Sequence, residues 1–250
     1  MAPDQGLALT YIGGPTALLE YAGLRILLDP TFDEPGRAAD GLTKTAGPGL
    51  PASAVEPIDL VLLSHHGHSD NFDDAGKAVA MRAPIVLSTP QAAAELGGPV
   101  IGLSHWQTHQ VSAVRVTASA GLHGPRVLRP FVGPVVSFVL SAPGQPTIYV
   151  SGDNASLGRI RQTVRRLGPV EVAILFAGAA RVAPAPVALT LTAAKAVRAA
   201  RLLGASKVVG LHVEDWAHFS ESRADLEHAF ATAGLAELLI QTPRGERVAV

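Results

Sequence analysis

Residues 58–73 read Ile58-Asp59-Leu60-Val61-Leu62-Leu63-Ser64-His65-His66-Gly67-His68-Ser69-Asp70-Asn71-Phe72-Asp73. The apolar run 58–63 predicts a buried strand that delivers the chain directly into a histidine cluster. Three of the nine histidines of the sequence fall between positions 65 and 68. The end of a buried strand is a rigid mount for a ligand set, and imidazole nitrogen with carboxylate oxygen suits zinc, iron or manganese. Gly67 frees the backbone to aim the side chains on either side of it at one point. The plainer reading is a polar loop of solvated histidines, with Asp70 and Asn71 as caps of the following helix. The rest of the chain decides between the two.

Upstream, three consecutive strands are expected at 7–12, 17–21 and 24–28, joined by turns at Gly13-Gly14-Pro15 and Ala22-Gly23. Residues 33–57 are rich in Gly, Pro, Ala and Asp and read as a long loop, a common place for a lid over a site. Downstream, a helix at 73–82, a strand at 84–88 and a helical turn or two at 90–96 are expected. Strands follow at 111–118, 135–140 and 147–150, the last two pairing across Ala142-Pro143-Gly144-Gln145. The second half then alternates: helix 156–167, strand 170–176, helix 187–203, strand 206–211, helix 220–233 and strand 237–241. The chain is therefore α/β, strand-rich first and alternating later.

Composition bounds the function classes. With 250 residues, 48% of them hydrophobic, the chain can bury a substantial core, and a single domain over 1–250 is expected. Twenty basic and 21 acidic residues give a net charge of -1, so no excess of positive charge draws phosphate backbones, and nucleic acid is not an expected partner. The absence of cysteine excludes disulfides, thiolate nucleophiles and thiolate-bound metals. The start of the sequence has no basic segment followed by an apolar run. The most apolar stretch, 170–180, is shorter than the roughly 20 residues of a membrane span. A cytoplasmic protein without a membrane span is expected, acting on a small molecule; a homo-oligomer is left open.

Further candidates repeat the placement of the first cluster. His123 follows a strand in Ala120-Gly121-Leu122-His123-Gly124, Asp153 follows one in Val150-Ser151-Gly152-Asp153, and His212 ends one in Val209-Gly210-Leu211-His212. Each lies where a buried strand stops, so one edge of the sheets can gather them all.

Taken together, these segments resemble the metallo-β-lactamase superfamily, in particular the branch of ascorbate-6-phosphate lactonase-like proteins and relatives of the N-acyl-phosphatidylethanolamine phospholipase D. The similarity includes residues 11–20, the segment Arg25-Ile26-Leu27-Leu28-Asp29-Pro30, Leu62-Leu63-Ser64-His65, Ser151-Gly152-Asp153 and Leu211-His212. It runs from about residue 7 to about 220. It implies a four-layer αββα sandwich, with one or two divalent metal ions at one sheet edge activating a hydroxide. Zinc is the first expectation, manganese and iron the alternatives. It further implies a metal set of His65 or His66, His68, Asp70, His123, Asp153 and His212. The family pattern is His-x-His-x-Asp-His. Here Asn71 holds the last position, and the first ligand is left open between His65 and His66. An amide oxygen is a weaker ligand than imidazole for such a metal, so the second metal site is the one in question.

Asp70 is expected to orient the attacking hydroxide, and His218 to protonate a leaving group. Trp216 and Phe219 are expected as a pocket wall or as core packing. Asp29 would orient a ligating histidine or cap its loop. His105, Trp106 and His109 are not expected to be ligands, His228 is read as a surface residue, and the arginines of 156–166 as a solvated helix face. The expected function is a metal-dependent hydrolase acting on a lactone, ester or phosphodiester. The alternatives are a catalytically weak metal-binding or ligand-sensing protein on the same fold, and a redox enzyme using iron.

Overall fold

The computed structural model describes residues 6–183 and 187–250. The chain runs β1 (Ala8–Gly13), β2 (Thr16–Tyr21), β3 (Leu24–Leu28), β4 (Gly36–Arg37), β5 (Thr43–Lys44), α1 (Ala52–Val55), β6 (Leu60–Leu62), α2 (Asp74–Ala80), β7 (Val86–Ser88), α3 (Pro90–Leu96), β8 (Val100–Gly102), β9 (Thr108–Val111), β10 (Val114–Ala120), α4 (Arg129–Val132), β11 (Val136–Ser141), β12 (Ile148–Val150), α5 (Leu157–Leu167), β13 (Val172–Phe176), α6 (Ala193–Leu203), β14 (Lys207–Leu211), α7 (Arg223–Thr232) and β15 (Arg247–Ala249). One sheet has the order β15-β1-β2-β3-β6-β7-β8, the other β14-β13-β12-β11-β10-β9.

Alternation within the apolar runs builds the layers. Leu19, Ile26, Leu28, Leu60 and Leu62 of the first sheet meet Val116, Phe138, Val150, Ile174 and Leu211 of the second in the central core. Their neighbours point the other way. Leu18, Leu27 and Val61 pack against Val55, Val79 and Ala92 of α1–α3. Tyr149, Ala173 and Val208 pack against Ile160, Ala196 and Phe230 of α5–α7. Because both faces of each sheet are covered, the strands read as continuous hydrophobic runs rather than as polar and apolar alternation. The expected αββα sandwich is the architecture observed.

Topology places the site. Strands β3 and β6 run parallel, as do β12, β13 and β14. Two successive antiparallel pairings set β10 in the direction of β12. The C-terminal ends of β6, β10, β12 and β14 therefore lie along one edge. There the two sheets are tied together by the Val136 amide donating to the Ser64 carbonyl at 3.0 Å.

Three expectations need correction. The strand expected at 237–241 is a 3-10 turn at Ala236–Leu238, followed by a lone bridge of Leu239 to Val208. Its leucines, with Leu235, pack onto the helical layer beside β14 instead of extending the sheet. The helix expected from 187 starts at Ala193, after Thr192, whose side chain accepts from the Lys195 amide. The segment before it runs out to carry Leu189 to the site. Finally, the long loop 33–57 is not free. It contains the β4–β5 hairpin and α1, and it is pinned to residues 215–217 by Thr45 N to Asp215 O at 2.7 Å and Ala217 N to Thr43 O at 3.0 Å. Among the described residues no helix is long and apolar enough to cross a membrane.

Candidate metal centre

Immediately after β6 the chain turns through Ser64, whose amide donates to Asp29 Oδ1 at 2.7 Å. Asp29 thus caps the backbone one residue before His65, rather than orienting an imidazole directly. Ser64 Oγ lies 3.1 Å from His65 Nδ1 and steadies that ring. His65 is buried, with Nε2 2.9 Å from His68 Nδ1. The centroids of His65, His68 and His123 are 5.0–5.3 Å apart. His66 turns away, with Nε2 against Glu95 of α3 at 2.8 Å. Of the two histidines left open by sequence, His65 is the one that faces the cluster.

His123, on the loop after β10, is oriented from behind. Its Nδ1 donates to the Leu189 carbonyl at 3.0 Å. A carbonyl only accepts, so the proton sits on Nδ1 and the lone pair is on Nε2, facing inwards. Burial pushes His65 well below the usual imidazole range, with the His68 and His123 rings adding to it. Burial likewise lowers His123. Neutral rings with free lone pairs are what a metal ion requires.

A second group assembles beside the first. Donor atoms of Asp70, Asp153 and His212 all lie within 4.8 Å of one another, as do those of His65, His68 and His123. Asp153 faces both groups: Oδ2 is 3.7 Å from His123 Nε2 and Oδ1 is 3.7 Å from His212 Nδ1. Asn71 reaches the same Oδ1 with its amide nitrogen at 3.2 Å. Asp70 Oδ2 is 3.4 Å from His212 Nε2 and 2.9 Å from His218 Nε2.

Close backbone approaches hold these residues. His212 has φ of 57°, a left-handed conformation costly for a non-glycine residue and one that persists where the surroundings impose it. Its amide donates to the Gly14 carbonyl at 2.7 Å. A Cβ on Gly178 would sit 2.2 Å from the His212 carbonyl oxygen, so only glycine fits there. Gly152, with φ of 50°, lets the Asp153 loop pass Ser64, where a Cβ would meet Ser64 Cβ at 2.5 Å.

The electrostatics favour a cation. Burial alone would raise Asp70, yet the close approach and charge of His212 and the hydrogen bond and charge of His218 hold it well below the usual carboxylate range. Burial pulls His212 down, but Asp153 and Asp70 outweigh it and raise its pKa. Positive charge is thus in demand between two buried carboxylates. Asp70 Oδ1, Asp153 Oδ2 and both ring nitrogens of His212 are buried without a hydrogen-bond partner, a cost that a metal ion would remove. Imidazoles and carboxylates in this arrangement fit borderline divalent ions.

Above the two groups opens a cavity of about 680 Å³, into which His68, Asp70, His123 and His218 project. Its walls are Leu42, Val127, Leu128, Phe131, Val132, Val182 and Leu189, with Asp40 at the rim. No lysine or arginine is among the described lining residues. Asp40 accepts from the Ser69 amide at 2.8 Å, fixing the 33–57 segment over the histidine loop. The 126–132 wall was not foreseen, although its apolar residues at 127, 128, 131 and 132 have helical spacing.

Other expected residues fall elsewhere. Trp216 is buried against Gly14 and Lys44, outside the lining, and so is core rather than pocket wall. Phe219 packs on the His212 and His218 rings. His105 and His109 flank and join the edge strand β9, away from the cavity, and Arg166 stacks on Trp106. His228 is exposed on α7.

The fold and this two-part site define a class, and comparison with known proteins places the chain in it. Residues 24–213 match the model of the beta-lactamase superfamily domain. A UPF0173 metal-dependent hydrolase of Pelotomaculum thermopropionicum is 25% identical over 246 residues, covering 95% of this chain and 97% of that protein. One of Opitutus terrae is 30% identical over 181 residues, covering 69% and 73%. The crystal structure of an isothiocyanate hydrolase from Delia radicum gut bacteria has the same fold, with a TM-score of 0.84, 23% identity and coverage of 97% and 98%. The chain belongs to the beta-lactamase superfamily and, within it, to the UPF0173 family of metal-dependent hydrolases.

Proposed function

We propose that the chain hydrolyses an uncharged ester or lactone with an apolar acyl portion, using two divalent ions, zinc first among them. The observation that carries this reading is the meeting of the two donor groups at Asp153, beneath an aliphatic cavity. His65, His68, His123 and Asp153 would hold one ion, and Asp70, Asp153 and His212 the other. Such ions, when bound, polarise a carbonyl oxygen and lower the pKa of a coordinated water towards about 7.

The protein's own groups do the rest. Asp70 is held ionised by its histidine partners and projects into the cavity, where it accepts a hydrogen bond from the attacking water and fixes its direction. The Leu189 carbonyl keeps His123 in one tautomer, and the Ser64 hydroxyl does the same for the orientation of His65. The aliphatic walls receive the acyl portion and exclude bulk water. No described lysine or arginine lines the cavity, so a phosphodiester's charge would be met by the ions alone, and it is the apolar walls that favour carboxylic esters and lactones with an apolar portion.

Elemental analysis of purified protein, with turnover on p-nitrophenyl esters, lactones and bis(p-nitrophenyl) phosphate before and after chelation, tests the reading. Metal-bearing protein with ester or lactone turnover that chelation abolishes is expected. Metal retained in full by both His68→Ala and Asp153→Asn would overturn the ligand assignment. Metal-replete protein inert on the whole panel would favour a binding protein instead.

A further inference from the structure

The group formed by Asp70, Asp153 and His212 offers three side chains to its ion. Zinc takes four ligands, with water filling any position the protein leaves open. Two other side chains abut this group. Asn71 turns its amide N–H towards Asp153 Oδ1 at 3.2 Å, and its one lone-pair donor, the buried amide oxygen, is a weaker ligand than imidazole for a borderline ion. His218 is placed differently. Its Nε2 is 2.9 Å from Asp70 Oδ2, the oxygen that lies 3.4 Å from His212 Nε2. Donor atoms sharing a tetrahedral ion with bonds of about 2.1 Å stand roughly 3.4 Å apart; the Asp70–His212 pair has that spacing, and His218 Nε2, at hydrogen-bond distance from the same Asp70 oxygen, is poised beside it.

The ring is also held in place. It packs edge-on to Phe219, centroids 4.7 Å apart, and to Trp216 at 6.3 Å, while its own carbonyl accepts from the Arg181 amide at 2.9 Å. A surface proton donor would not need this clamp. His218 reaches the site from the segment after β14 and meets Asp70, whereas Asn71 reaches it from the segment after β6 and meets Asp153, so the two tips abut the same donor group at different carboxylates.

We propose that His218, through Nε2, is the fourth protein ligand of the second ion, occupying the coordination position that Asn71 leaves unfilled. The assignment rests on the two-ion reading above. It removes His218 from the leaving-group role expected from the sequence, because an ion-bound Nε2 has no proton to give.

Zinc is the probe. Wild-type protein stripped of metal is titrated with Zn²⁺, bound ions are counted, and His218→Ala and the double variant Asn71→His/His218→Ala are treated in the same way. The expected counts are two zincs for wild type, one for His218→Ala and two again for the double variant, with second-zinc affinity falling more than about 100-fold in His218→Ala. Long-range ¹H–¹⁵N spectra of histidine-labelled wild type should show the His218 Nε2 signal moving with the second equivalent of zinc, an answer that stands even if a variant misfolds. Two zincs retained by His218→Ala at wild-type affinity, or a His218 signal unmoved by zinc, would overturn the proposal. A single zinc in wild type would also overturn it, while chelator-sensitive ester turnover by that same protein would leave the hydrolase reading standing.

Discussion

The amide nitrogen of Asn71 donates to Asp153 Oδ1 across 3.2 Å, with both side chains sealed from solvent. Asp153 is the carboxylate that faces both donor groups, so its rotation decides whether each oxygen meets its own ion. On the proposed two-ion reading, Asn71 would act on the metals by fixing that rotation. Asn71→Ala should weaken zinc binding by about 10–100-fold, the usual effect of losing a partner of a ligating carboxylate. Titration against a competing chelator measures this, and unchanged affinity would mean that His123 and His212 alone orient Asp153.

Lys44 and Asp73 form a buried ion pair at 3.0 Å. Asp73 does more than pair: it also accepts from the amides of Phe32, Asp33 and Gly76, each at 2.8 Å, joining the start of the 33–57 segment to the N-terminus of α2. The two halves of the pair should differ. Asp73→Ala leaves a buried ammonium and three unpartnered amides, and should cost about 3–5 kcal/mol or more. Lys44→Met leaves a carboxylate still held by three N–H donors and should cost less. Urea unfolding of metal-free protein measures both, and equal losses would refute the asymmetry.

Much of this was legible in the sequence, for identifiable reasons. Long apolar runs bounded by glycine and proline marked the strands, and candidate ligands at strand ends put His65 or His66, His68, His123, Asp153 and His212 at one edge. What escaped depended on tertiary contact. The choice between His65 and His66 turned on Glu95, 29 positions away on another element. The short strand β15 is recognisable only by its partner β1. The leucines at 235, 238 and 239 have the hydrophobicity of a strand but find a helical layer to pack on. The sequence leaves Trp216 open between pocket wall and core packing because it neighbours a candidate ligand, and only the burial of its ring against Gly14 and Lys44 decides for core.

Asp29 provides a pH test of the strand-end cap. Burial, opposed in part by its bonds to Ser64, pushes its pKa up from 3.8 to about 8. Between these values the folded state holds a proton that the unfolded state has lost. The stabilisation it lends is complete below about pH 4 and disappears as pH rises through about 8, at up to ~1.4 kcal/mol per pH unit. Asp29→Asn keeps an acceptor for the Ser64 amide but does not titrate. In metal-free protein the variant should gain stability relative to wild type as pH is raised from 5 to about 8. A stability difference independent of pH would show that Asp29 is ionised in the folded protein throughout.

The apolar wall makes the last prediction. Val127 and Phe131 are 76% and 83% exposed, although both line the cavity, so their burial awaits a ligand. Large apolar groups left in water at a site are compensated when an acyl chain covers them, at roughly 25 cal/mol per Å². Phe131→Ser should therefore raise KM on a p-nitrophenyl octanoate by about 10-fold, equivalent to about 1.4 kcal/mol, and do so far less on the acetate, whose acyl group is too short to span the wall. Zinc content should stay the same, because Phe131 lies outside both donor groups. Val127→Arg should act in the opposite direction on charge, improving an anionic ester relative to its neutral analogue. Equal losses on acetate and octanoate in Phe131→Ser would show that the chain runs along a different wall, and Leu42 with Leu189 would then be the surface to probe.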